Sequence, residues 1–176
     1  MADNLTESLY EQDLHEWTLA QVRALRILRE AAMGQGDLTA ALHEPDWDHL
    51  IEELEGLAGK DRRELRGRVA TVVEHLLKLE LSSAQGPREG WIDTVRRSRR
   101  EIVLLLEESP SLRRQVADIL LSKNIAATVG ETCDDLVRRG EILPQDTAAI
   151  QARRPIYAEA QVTENWWPAS LRGRTE

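Results

Sequence analysis

Two groups of side chains have the types and spacing that chemistry needs. Arg68 and His75 stand seven residues apart, which on a helix places them within about 20° of one face. A guanidinium there could stabilise a phosphorane while the imidazole moves a proton, as in a dimeric, metal-independent endoribonuclease of the toxin–antitoxin kind. Both residues also flank an apolar stripe, Leu65, Val69, Val72 and Leu76, where an imidazole can serve as a structural hydrogen-bonder to a neighbouring helix. The second group is His49 with Glu52 and Glu53, extended by Asp48, Glu55 and His75. An imidazole and a carboxylate one helical turn apart is the spacing that helical bundles use to hold a metal. Only half of the paired Glu-x-x-His pattern is present, in reversed order, and the simpler reading is a solvated acidic first turn favoured by the helix dipole.

A third cluster, Arg96, Arg97, Arg99 and Arg100, has the charge to bind phosphate or nucleic acid. The whole chain opposes that use. Its 31 acidic and 23 basic residues give a net charge of -8, which repels a phosphate backbone at long range. Pairing of these arginines with the acidic start of the second helix is the more economical expectation. Cys133 is the only cysteine, so an internal disulfide, a CxxC pair and a cysteine-built zinc site are excluded. A cytoplasmic location fits that usage. No stretch approaches the roughly 18 apolar residues of a membrane span, and no signal peptide or Gly-rich phosphate loop is visible.

The elements that must position these residues are helices. Leu14, Trp17, Ala20, Ala24, Ile27, Leu28 and Ala31 recur at three- and four-residue spacing, which predicts a first helix from Ser8 to Met33 with this stripe as its apolar face. Gly34 and Gly36 end it, residues 37–45 connect, and Asp46 caps a second helix that is expected to bend or break near Gly59. Ser82 to Gly90 is loop chemistry. Trp91 opens a third helix with a stripe of Trp91, Val95, Ser98, Ile102 and Leu105. Ser109 should cap a fourth, with Pro110 in its first turn, running through Leu112, Val116, Ile119, Leu120 and Ala127 to a weak point at Gly130. Gly140 closes that segment, and Pro144 to Ala152 suits one more short helix. No period-two pattern appears. The expected fold is all-α, an up-and-down bundle of four to five helices over residues 1–154. Residues 155–176 form a tail whose Trp166-Trp167-Pro168 docks on the bundle or on a partner subunit.

Several blocks fall in a recognisable order: Asp46-x-Asp48-x-Leu50-x-Glu52-Glu53-Leu54-Glu55, His75-Leu76-Leu77-Lys78, Trp91, Arg96 with Arg99-Arg100-x-Ile102, and Ser109-Pro110-Ser111-Leu112. In these the chain resembles the bacterial family called domain of unknown function 29 over roughly Leu9 to Leu121. The resemblance implies a small helical protein and supplies no activity. His49 stands where the family usually has Asn, Ala58 where it has Gly, and Leu79 where it has an aromatic residue. From Leu121 to Thr128 the match is poor.

Each chemical constellation thus has a simpler structural reading, and the expected function is an interaction module without catalysis or cofactor. A homodimer is expected, because Val103, Leu104, Leu105 and Leu106 are consecutive and cover every side of the third helix. A separate protein partner is the other possibility that such a surface opens.

Overall fold

A computed structural model describes residues 9–34 and 46–171, so the expected connection at residues 37–45 lies outside the described residues. The chain is all-α, and its described regular elements are three long helices followed by shorter ones. They are α1 (Leu14–Gly34), α2 (Trp47–Leu81), α3 (Arg88–Glu108), α4 (Gln115–Leu120), α5 (Lys123–Arg138), α6 (Thr147–Gln151) and α7 (Glu159–Thr163). Tight 3-10 turns occupy Pro110–Arg114, Pro144–Asp146 and Ala169–Leu171. None of the described helices is long and apolar enough to cross a membrane. The chain separates into two compact units, Met1–Glu64 with Leu106–Leu112, and Leu65–Leu105 with Arg113–Glu176.

In the first unit the expected opening helix is interrupted at Asp13. Residues 9–12 make one helical turn, and then Asp13 Oδ1 accepts the Glu16 N–H at 2.8 Å, which satisfies a donor that the start of α1 would otherwise leave without a partner. The same carboxylate accepts the Ser111 N–H at 2.6 Å and the Ser111 hydroxyl at 3.0 Å. One buried acid therefore caps two helical starts. Ser109, expected to cap the segment that follows it, instead accepts the His15 N–H at 3.2 Å. His15, Thr18 and Val22 form the buried face of α1.

The start of α2 is capped as the sequence predicts, with Asp46 Oδ1 accepting the His49 N–H at 3.2 Å. The expected break near Gly59 does not occur: α2 continues for 35 residues, about 52 Å at 1.5 Å per residue. A glycine costs a helix interior only about 1 kcal/mol, and the buried Ile51 and Ala58 hold this stretch in place. The guanidinium of Arg63 folds back along the helix and donates to the Gly56 carbonyl at 3.4 Å, and a β-carbon on Gly59 would stand 2.8 Å from it. The glycines leave room for that side chain inside an intact helix.

The second unit is the better filled. Leu65, Val69, Val72, Val73, Leu76, Leu77 and Leu79 of α2 are all buried, as are Val95, Ser98, Arg99 and Ile102 of α3. The expected single fourth helix is two helices. Its division falls at Leu121–Ser122, where Ser122 is extended and its hydroxyl accepts the Ile125 N–H at 3.4 Å, and Gly130 sits inside an unbroken α5. Ser122 provides a new cap, whereas Gly130 only weakens a helix already held by the buried Ile125, Val129, Cys133 and Leu136. Gly140 does end α5. Its φ of 71° lets its N–H reach the Val137 carbonyl while the Glu141 N–H reaches the Leu136 carbonyl, the usual left-handed closure. α4 packs against α5 and α7, and α6 against α5.

Candidate functional site

The acidic start of α2 is taken up by pairwise contacts. His49 Nδ1 lies 2.5 Å from Asp46 Oδ2, Asp48 pairs with Arg29 at 2.6 Å, and Glu55 pairs with Arg26. Glu52 and Glu53 are exposed. Among the described residues no three His, Cys, Asp or Glu side chains are placed to hold a metal ion. The local electrostatics are those of an exposed cap. The hydrogen bond to His49 lowers the Asp46 pKa, and the same bond to Asp46, reinforced by its charge, raises that of His49.

Arg68 and His75 face separate partners. Arg68 reaches Glu101 of α3 at 2.9 Å, so a carboxylate answers its charge. His75 Nδ1 lies 2.9 Å from the Thr71 carbonyl, one turn back on the same helix. A carbonyl only accepts, so Nδ1 carries the proton. The hydrogen bond to a neighbouring helix expected for a structural His75 is thus made within α2 instead.

The arginine cluster of α3 divides in a way its sequence does not announce. Arg96 pairs with Asp93 of its own helix at 3.6 Å, and Arg97 and Arg100 are exposed. At the start of α2, where the sequence predicts these arginines to pair, Arg26 and Arg29 of α1 answer Glu55 and Asp48. Arg99 is buried. Its guanidinium donates to the carbonyls of Val162 at 3.0 Å, Gln161 at 2.6 Å and Trp166 at 2.7 Å, and lies 4.9 Å from the centre of the Trp167 ring. Burial lowers its pKa to about 10, which still leaves it charged at neutral pH.

Arg88 does the same at the other end of α3, donating to Leu79 and Ser82 carbonyls at 2.9 Å each, where α2 ends. Eleven residues separate the two arginines, three turns of one face. Each cation thus meets carbonyl groups near the negative end of a helix dipole. Sequence reasoning missed Arg88, although that eleven-residue interval was there to be read. It also missed a network in which Tyr157 donates to Glu80 at 2.6 Å and Arg153 pairs with the same carboxylate at 2.9 Å. Burial, and then the bond to Glu80, push the Tyr157 hydroxyl well above its ordinary pKa, so it stays protonated.

A small cavity beside the start of α5 is walled largely by Leu120, Ile125, Val129 and Ile156. Its Arg153 is the one already bound to Glu80, and its walls carry no nucleophile paired with a base.

The surface that stands out is on α1. Ala24, Ile27, Leu28 and Ala31 are exposed, Ile27 by 67% and Leu28 by 50%, on the side opposite the buried Val22. Trp17 and Ala20, half-buried, continue the stripe, and Tyr10 meets Trp17 edge-on at 5.0 Å. The sequence pattern therefore marks this stripe as a core face, while the core face of the helix in the folded chain carries His15, Thr18 and Val22. On α2 of the same unit Leu50 and Leu57 are also exposed.

No curated protein and no solved structure matches the chain. One sequence family does, over residues 9–165. That span takes in residues of both compact units, among them Asp13, Arg88 and Arg99, and the chain belongs to the family described as domain of unknown function DUF29.

Proposed function

We propose that this chain is a helical interaction module without catalysis, and that it works as a homodimer in the cytoplasm. The observation that carries the reading is the exposed apolar stripe of α1, four adjoining apolar side chains on one face of a surface helix. Contiguous apolar surface of this kind marks a contact with another macromolecule. The groups that could have done chemistry support the reading from the other side. Arg68 is answered by Glu101, His75 by its own helix, and His49 by its capping aspartate. Cys133 is buried, and that burial together with Asp134 pushes its thiol pKa up, which suits a packing role in a reducing compartment. Light scattering on the purified chain over a range of concentrations tests the assembly. A mass twice the 20.0 kDa of one chain is expected, and a 20.0 kDa species persisting at high concentration would rule the homodimer out.

A further inference from the structure

The exposed stripe of α1 has a heptad spacing. Trp17, Ala24 and Ala31 are seven apart, Ala20 and Ile27 fill the intervening positions, and Leu28 widens the stripe on one side. Along its other edge run Glu16, Arg23 and Glu30, again seven apart and alternating in sign. The remaining arginines of α1 are occupied elsewhere, Arg26 by Glu55 and Arg29 by Asp48, so the charges left beside the stripe are these three. Arg23 and Glu16 already pair at 3.0 Å within the chain.

Resting on the self-association proposed above, we infer that α1 is the homodimer contact and pairs antiparallel with α1 of a second copy, Ala24 against Ile27 and Ala20 against Ala31. Charge and volume both select this arrangement. When two identical helices face each other antiparallel, each edge of the stripe meets the same edge of the other copy, which sets Arg23 beside Glu30 twice over. In parallel pairing each edge meets the opposite one, which here carries Leu14, Gln21 and Leu28 and answers no charge. The volumes agree. Antiparallel pairing puts the large Ile27 over the small Ala24, and two alanines together allow close approach. Parallel pairing in register stacks Ile27 on Ile27 and alanine on alanine, alternating a clash with a void.

Half-buried Ala20 and exposed Ala31 allow a direct test. In Ala20→Cys/Ala31→Cys the two thiols lie about 16 Å apart along one helix, too far to join within a chain. Oxidation with diamide is expected to give a covalent dimer whose only new peptide link joins position 20 to position 31. Links of 20 to 20 and 31 to 31 would overturn the antiparallel claim, and a dimer that does not cross-link would overturn the α1 face itself. A second measurement reads the charges. Arg23→Glu is expected to weaken the dimer about tenfold, from two lost and two repulsive exposed pairs, and Arg23→Glu/Glu30→Arg to restore it. A double variant as weak as the single one would contradict the pairing. If the unaltered chain is a monomer, the homodimer reading fails as well, so the two failures are distinguishable. Melting of each reduced variant at the parent temperature confirms that only the surface has changed.

Discussion

α2 is one continuous helix whose two halves live in different surroundings. From Leu65 to Leu79 every leucine and valine is buried, and the polar groups around that segment are used up inside the second unit: Arg88 on the Leu79 and Ser82 carbonyls, Tyr157 and Arg153 on Glu80. From Trp47 to Glu64 only Ile51 and Ala58 are buried, Leu50 and Leu57 face outward, and α1 of the same unit exposes Ile27 and Leu28. The second unit leaves Val103, Leu104, Leu121 and Leu143 in water without aligning them into a stripe, whereas the first lines up its exposed apolar side chains along one face of α1. A region that leaves helical apolar stripes in water is built to meet something, and a region that does not is built to hold its shape.

The largest expected effect that sharpens this contrast comes from the buried half of α2. Leu76→Ala should cost about 2–5 kcal/mol by removing a fully buried side chain, whereas Leu57→Ala should change the stability of the isolated chain by no more than about 0.5 kcal/mol. Urea unfolding of the two variants at low concentration reads both numbers, and equal losses would erase the distinction between the halves.

Next in size are the arginines of α3. Arg99→Ala should cost about 2–4 kcal/mol, since three carbonyls lose a charged donor and the Trp167 ring loses its cation. Arg97→Ala, two positions away and exposed, should cost less than about 0.5 kcal/mol. Thermal unfolding followed by circular dichroism compares them; a large loss from Arg97→Ala would show that the cluster works as a surface lattice after all.

His75→Ala should cost at most about 1 kcal/mol, because the Thr71 carbonyl it leaves sits within a helix ladder and keeps a partner there. No RNA-cleaving activity should be lost. Unchanged melting with a loss of cleavage would instead make His75 catalytic.

The smallest effect is that of His49. Its imidazole should titrate above the usual 6.5 in a proton NMR titration and return toward that value in Asp46→Ala. A raised imidazole pKa favours folding below about pH 6.5 and loses that contribution as pH rises through the folded value. The lowered Asp46 pKa favours folding above about 3.8 and loses its share as pH falls below that. The cap should therefore be firmest between those two values, and an unshifted His49 would remove it.

Much of the fold is legible in the sequence because periodicity and caps are local. The helices opened by Asp46 and ended by Gly140, and the loop around Gly86-Pro87, depend on residues close by in the chain. What was illegible depends on residues far apart. The burial of Ile51 and Ala58 that holds α2 through Gly59 is tertiary, and the capping of the Pro110 turn comes from Asp13, 98 residues away from Ser111. The site suffers most. Periodicity finds the apolar stripe of α1 without saying which side of the helix the core will take, and the folded chain gives that place to His15, Thr18 and Val22.

The claim that α1 carries an interaction face is tested most directly by hydroxyl-radical footprinting of the unaltered chain at rising concentration. Ile27 and Leu28 should be labelled when the protein is dilute and protected when it is concentrated, with Leu76 and Leu77 unlabelled throughout and Leu104 labelled throughout. Labelling of Ile27 and Leu28 that stays the same at every concentration, in a chain that nonetheless dimerises, would contradict it.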